Sequence, residues 1–233
     1  MSEQKLRFTP QVVLQLVLVV VVLPFLPLLI TQQWGWWQAW AYAGISIAGF
    51  ILSHMLAAQR DPSLIAERAR FADHKDAESW DKYLAPAVAL GGALIPLMAG
   101  LDVRLAWAPR IDNIWIIIVS LILVTLGYVI GAYALMENRF FSGVVRIQQD
   151  RGHHVITTGP YGWVRHPGYA AAALTFLATP FLLGSWCAIG PAVLVVAVLV
   201  IRTRLEDETL QAKLKGYQNY AHHVRYRLLP GVW

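Results

Sequence analysis

Charge is scarce in this chain. Asp, Glu, Lys and Arg make up 14% of its 233 residues and hydrophobic residues 57%, where a soluble domain carries about 25% charged residues. The deficit excludes an ordinary water-facing surface and makes lipid the neighbour of much of the molecule. Cysteine is scarcer still. The one residue, Cys187, rules out an intrachain disulfide and a cysteine-based zinc site, and leaves the redox compartment open. Internal repeats and low-complexity linkers are missing. Ionisable residues are nearly missing from the apolar runs, where only His54 and Glu137 come close, each near an end. Transport places such groups inside the spans, so the pattern speaks against it, while a purely structural role stays open. The net charge of +5 does not call for nucleic acid, because the basic residues flank apolar runs, where anionic headgroups are the plainer partners.

What is present is a series of long apolar runs. A helical span needs about 20 such residues. Residues 11–31, 37–57, 83–101 and 113–136 qualify, and the first is expected to be a retained span kinked at Pro24 and Pro27, since it exceeds a signal-peptide core. Trp34, Trp36, Trp37 and Trp40 cluster as an interfacial belt does. Asp61-Pro62-Ser63 reads as the start of a short surface helix. Residues 169–201 are too many for one upright span and few for two. Gly184-Ser185-Trp186 in their middle favours a helical hairpin over one long tilted helix. The expected fold is all-α: a polytopic transmembrane bundle of four spans plus a C-terminal hairpin, in a single domain 1–233, with N-terminal spans 1–136 and a catalytic half 137–233.

Lys and Arg set the orientation. With the N-terminus cytoplasmic, 17 of the 19 basic residues fall inside, and only Arg104 and Arg110 fall outside, as the positive-inside rule requires. The hairpin returns the tail to the same side as the polar loop 137–168, so one cytoplasmic pocket can draw on both.

Two polar clusters bracket the hairpin. The loop carries Gly159-Pro160-Tyr161, Val164-Arg165-His166-Pro167 and Tyr169. The tail carries Arg202, Glu206-Asp207 and Leu210, then Gly216-Tyr217 and Tyr220. In order, spacing and placement this pattern, over about residues 145–233, resembles the isoprenylcysteine carboxyl methyltransferase and phospholipid methyltransferase superfamily of membrane enzymes. The resemblance implies S-adenosyl-L-methionine as cofactor and a lipophilic or lipid acceptor: a prenylcysteine-like carboxylate, a phospholipid amine or a small thiol. It implies that His153, His154, Val155 and Ile156, with Gln148, line the cofactor. Tyr161 would pack on it, and His166, Pro167, Gly168 and Tyr169 would form the turn that holds it. Glu206 would bind it, Arg202 would face the acceptor, and Asp207 would complete the catalytic acid pair. The chain departs from the family in having Ala171 where many members have glycine, and Asp207 where the second acid is usually glutamate. Both departures bear on substrate more than on cofactor.

The chemistry suits those roles. Aromatic faces such as Tyr161, Trp163 and Tyr169 attract a sulfonium or stack on adenine. A carboxylate receives an ammonium group, and an arginine fork pairs with a carboxylate acceptor. Plainer readings compete. Arg202–Glu206 and Arg204–Glu208 are spaced as simple helix pairs, and a histidine before proline can serve a turn. Tyr217 and Tyr220 suit interface packing. His222, His223, Arg225 and Arg227 suit a solvated basic face. His153-His154 lacks further ligands at useful spacing, so no metal is expected. Sterol-type reductases share parts of the C-terminal pattern and use NADPH. That alternative is weakened by Gly168 and Ala171, which stand where those enzymes have asparagine and an acid.

Overall fold

The structure, a computed structural model, describes residues 10–69 and 76–233. Lys5, Arg7, Arg70 and Lys75, which count towards the orientation, lie outside them. Its elements are α1 (Pro10–Val17), a π-helical turn (Leu18–Val22), α2 (Leu23–Thr31), α3 (Trp37–Arg60), α4 (Pro62–Ala69), α5 (Asp81–Leu105), α6 (Ile114–Glu137), α7 (Pro167–Leu182), α8 (Ile189–Lys213) and α9 (Tyr217–His223). No strand occurs among the described residues. Three helices, α3, α5 and α6, are long and apolar enough to cross a membrane, and the segments Leu18–Thr31 and Pro167–Leu182 are shorter apolar helices. Leu52, Ile122, Val129 and Leu194 stand exposed on their outer faces, as lipid-facing side chains do. The protein is an all-helical integral membrane protein.

Proline chemistry shapes the first apolar stretch. Pro24 and Pro27 have no N–H for the carbonyls of Val20 and Leu23. The π turn lies directly before them, and the Leu23 N–H reaches back to the Leu18 carbonyl. The expected kink is taken up as a π bulge. The C-terminal apolar stretch is a hairpin: α7 ends at Leu182, the chain turns through Gly184 at φ +69°, and α8 begins at Ile189. Gly184 is required there, because a Cβ would lie 2.8 Å from the Ile111 carbonyl oxygen.

Helix α6 packs along α7 and α3, while α5 packs on α8 and α2. Small residues make the α6–α7 contact close. A Cβ on Gly127 would lie 2.1 Å from Thr175 Oγ1 and 3.0 Å from the Ala171 carbonyl oxygen. Lipid offers no hydrophobic drive for helix association, so this van der Waals approach is what joins the pair.

The two ends of the bundle differ. At one end Asp102 of α5, almost fully buried, accepts from Ser185 Oγ (2.6 Å), the Cys187 N–H and the Ala108 N–H. Trp34, Trp37 and Trp40 are exposed there, but Trp36 is buried under the Arg110 guanidinium, 4.6 Å above its ring. One of the four expected belt residues is therefore a core residue. At the other end the polar loop, α4, the start of α5 and the tail gather, tied by Arg60–Glu137 (2.8 Å) and Lys213–Glu78 (2.6 Å).

Gly127→Val should lower the thermal stability of the detergent-solubilised protein by about 1–3 kcal/mol through overpacking. Gly44→Val, where a Cβ meets nothing within 4 Å, should leave unfolding within about 0.5 kcal/mol of the parent.

Candidate active site

At the polar end the loop and the tail enclose a pocket of about 810 Å³, mouth included. Gln148, His153, His154, Val155, Ile156, Tyr161, His166, Gly168, Tyr169 and Glu206 all line it. Ten of the eleven residues expected against the cofactor thus share one cavity. Pro167 does not reach it: it occupies the first position of α7, where its fixed φ and missing N–H suit the helix start. Trp163, expected as a stacking face, is 71% exposed and outside the lining.

The floor of the pocket hangs from one carboxylate. Asp207 is 0% exposed. It accepts from Arg165 Nε (2.7 Å) and Nη2 (2.9 Å), Arg227 Nε (2.9 Å), Gln211 Nε2 (2.8 Å) and the Tyr217 hydroxyl (3.0 Å), with His166 Nε2 at 3.3 Å. So many donors saturate its lone pairs. Asp207 does not line the pocket, and its oxygens are taken up by these donors. The same loop is pinned through its backbone, where the N–H groups of Arg165 and His166 donate to the carbonyls of Tyr226 and Arg227 at 2.9 Å each. Arg227 is therefore part of the site's frame, not of a solvated face. His222, His223 and Arg225 are exposed, as expected. Tyr217 and Tyr220 are buried pocket walls rather than interface packing, and the Tyr220 hydroxyl donates to the Tyr161 carbonyl at 2.7 Å.

Arg202 is committed as well. Its Nε and Nη2 donate to Asp81 at 2.7 and 3.0 Å, Nη2 also reaches the Gly143 carbonyl, and its Cζ lies 5.3 Å over the Tyr169 ring. Asp81, wholly buried at the start of α5, accepts the Val145 N–H at 2.6 Å too. The expected i,i+4 pair of Arg202 with Glu206 does not form. Arg204 does pair with Glu208, at 2.8 Å on the exposed side. Arg202, expected to face the acceptor, is not among the lining residues; it forms a buried ion pair that joins α5, α8 and the loop.

Glu206 has capacity to spare. Its Oε2 accepts the Tyr169 hydroxyl (2.5 Å), and Oε1 accepts no hydrogen bond among the described residues. Tyr169 stacks on His166, ring centroids 5.8 Å apart. The opposite wall is Phe140, against which His153 and His154 pack at 4.5 and 4.9 Å. Gln148 lines the pocket, yet its amide is spent on the Phe140 carbonyl (2.7 Å) and on Arg151. It shapes the wall more than it offers a bond. Tyr161 rides on a 3₁₀ turn that requires Gly159 at φ +57°, since a Cβ there would lie 2.7 Å from Glu137 Cγ. Its hydroxyl donates to the Ala134 carbonyl and accepts from Asn138 Nδ2.

Asp81, Arg146, Phe140 and Phe141 were not expected at the site. Arg146, nearly buried, binds Glu67, Asp76 and Asp150 and so fastens α4 to the loop. The sequence signal, an isolated acid or arginine beside an apolar run, is one that any span-flanking charge gives. Among the described residues no group of three His, Cys, Asp or Glu is arranged to hold a metal.

A second cavity, of about 930 Å³, opens between the spanning helices. Leu23, Phe50, Ser53, Gly131, Ala172 and Phe176 are among its walls, and Gly168 belongs to both cavities.

Burial, reinforced by His154, Arg146 and Arg151, lowers His153 from 6.5 to about 4. The neutral ring uses Nδ1 to accept the Gln148 N–H (3.3 Å). The unfolded chain therefore binds this proton first, and the contribution of His153 to stability is full above pH 6.5 and lost as pH falls towards 4. Thermal unfolding between pH 7.5 and 4.5 should show a smaller decline in His153→Gln than in the parent. Asp207→Asn should cost about 3–5 kcal/mol by leaving Arg165 and Arg227 without their anion, whereas Arg204→Ala should unfold with the parent.

Residues 115–212 match the isoprenylcysteine carboxyl methyltransferase (ICMT) family. Proteins of Oryza sativa subsp. indica and subsp. japonica, each described as a probable protein-S-isoprenylcysteine O-methyltransferase, are 34% identical over 77 residues, 32% of this chain. The aligned stretch spans 40% of the length of those relatives. A solved structure of the eukaryotic intramembrane Ras methyltransferase, an isoprenylcysteine carboxyl methyltransferase, superimposes with a TM-score of 0.52 at 19% identity, over 96% of this chain and 88% of that one, which establishes a shared fold. The named relatives are methyltransferases, and the reductase alternative gains no support. The matched segment runs from α6 through the pocket loop and hairpin to the acids of α8, and over it the chain is similar to the isoprenylcysteine carboxyl methyltransferase family.

Proposed function

We propose that the protein transfers a methyl group from S-adenosylmethionine to a lipophilic acceptor carboxylate of the isoprenylcysteine type, with the cofactor reached from the cytoplasm. The observation that carries this reading is the meeting of loop 138–169 and Glu206 in one pocket, within a segment that matches the family. The donor set suits the cofactor. Glu206 Oε1 is free for an ammonium group, and Tyr169, Tyr161 and His166 offer aromatic faces to a sulfonium, an attraction of about 0.5–2 kcal/mol. The backbone at Val155 and Ile156 offers donors and acceptors to an adenine edge.

When bound, S-adenosylmethionine supplies an electrophilic methyl group that passes in line to the acceptor, with no covalent enzyme intermediate and, for a carboxylate, no proton to remove. The protein's work is then to hold two reactants in line, which can supply several kcal/mol. Tyr169 fixes the Glu206 carboxylate by its hydroxyl, and Asp207 fixes the turn at His166 from behind. The Arg202–Asp81 pair keeps α5 and α8 in register beneath Tyr169. In this reading residues 137–233 hold the cofactor, and the spans within 1–136 shape the acceptor's path from lipid through the cavity that ends at Gly168.

Calorimetry with S-adenosylhomocysteine on the purified protein should give saturable one-site binding. Glu206→Gln and His166→Ala should each weaken it at least about tenfold, the loss of a hydrogen bond to a charged group or of its support. A folded parent protein that binds none would overturn the proposal.

A further inference from the structure

Hydroxyl groups on the apolar helices follow one habit. Ser53, Ser120, Thr125, Thr175 and Thr179 each donate to a carbonyl about one turn back in their own helix, at 2.7–3.0 Å, as hydroxyls do where no water is near. Ser46 of α3 departs from it. The residue is 7% exposed, and its Oγ is buried with no hydrogen-bond partner. The hydroxyls of Tyr42, one turn away on α3, and of Tyr128, on α6, lie near Ser46. Neither completes a hydrogen bond to it or to another described group. Gly49 permits this meeting, because the Tyr128 ring lies where its Cβ would be. A buried hydroxyl left unpaired is unfavourable, the more so away from water. Three that converge leave a gap that one further oxygen would fill.

All three residues line the cavity between the spanning helices. Its other hydroxyls, Ser53 and Thr175, are spent on their own helices, and its remaining side chains are apolar. The space therefore suits a lipophile and carries one polar slot. Gly168 connects it to the cofactor pocket, so an occupant can lie with one end there. The depth of the slot follows from helix geometry. Thr175 faces Gly127, the neighbour of Tyr128. From Gly168 to Thr175 along α7 the rise is about 10 Å.

We propose that Ser46, Tyr42 and Tyr128 form a hydrogen-bonding slot for an oxygen in the tail of the methyl acceptor, about 10 Å from the Gly168 end by helical rise. This rests on the methyl-transfer reading and narrows its substrate class to lipophilic acids whose tail carries a hydroxyl, ether or carbonyl. A plain hydrocarbon tail would fill the cavity and leave the three hydroxyls unpaired. A tail hydroxyl can both accept and donate there.

The probes are octadecanoic acid and its 2-hydroxy and 10-hydroxy derivatives, which share a carboxylate and a chain length and differ in the oxygen. Their affinities for the detergent-purified protein are read from the rise of the unfolding midpoint with concentration, and S-adenosylhomocysteine binding is measured alongside. The 10-hydroxy acid should bind at least about fivefold more tightly than the other two, the gain from pairing a buried hydroxyl. Ser46→Ala should abolish that preference and leave the affinity for octadecanoic acid unchanged. Tyr42→Phe and Tyr128→Phe should each reduce it. Ser120→Ala, outside the cavity, should keep it. If Ser46→Ala does not fold, the two tyrosine variants carry the test by the same comparison. Equal affinities of the three acids in the parent would overturn the proposal and leave the hydroxyls to water. A 2-hydroxy acid that binds as tightly as the 10-hydroxy acid would also overturn it, since the oxygen would then act without regard to depth. So would a preference that survives in Ser46→Ala or, where that variant does not fold, in both tyrosine variants. A parent that prefers the 10-hydroxy acid but binds no S-adenosylhomocysteine would keep the slot and sink the methyl-transfer reading.

Discussion

A carboxylate with no solvent around it must be surrounded by donors, and Asp207 gathers donors from four places in the chain. Arg165 and His166 come from the loop, Gln211 from its own helix, Tyr217 from α9 and Arg227 from the tail. Each lies in a different element, so satisfying one side chain assembles them all. Desolvation makes the alternative expensive: a buried charge that loses even one arginine keeps its penalty and loses its compensation. The pocket's floor, the start of α7 and the path of the tail follow from that single requirement.

The Arg202–Asp81 pair plays a parallel part between helices, and together the two networks separate support from contact. Residues in the wall, such as Tyr169 and His166, are held from behind by charges that are paired within the protein. Rigidity of this kind suits a reaction whose main demand on the protein is alignment. It also explains why so many ionisable groups at this end have no capacity left. Glu206, in the wall of the pocket, is the notable exception.

The helices were legible in the sequence because lipid imposes a length and a polarity on every span. The hairpin showed through Gly184, which marks a turn by its chemistry. The members of the pocket showed through a joint pattern, since histidine, proline, tyrosine and acids at fixed spacings are rare together. The partners did not. Nothing in the sequence says that Asp81 faces Arg202 across 121 positions, or that Arg227 turns inward while Arg225 faces water. Local spacing suggested Arg202–Glu206, and a long-range acid displaced it. Likewise Trp36 carries the same aromatic signal as its neighbours, and only packing beneath Arg110 separates it from the belt.

The Asp102 knot at the far end of the bundle bears on how the molecule is made. Asp102 lies in α5, and the Ser185 hydroxyl and Cys187 N–H that satisfy it lie more than eighty residues later. During synthesis α5 reaches the bilayer with that carboxylate only partly satisfied, by the Ala108 N–H, while its remaining partners are still unmade. The hairpin turn has to reach this end of the bundle before the charge finds its remaining partners, and the apolar arm that leads it, α7, has only 16 residues. Membrane insertion of the last two helices is thereby linked to the neutralisation of a residue placed by an earlier one. The C-terminal half assembles on a frame that its own arrival completes.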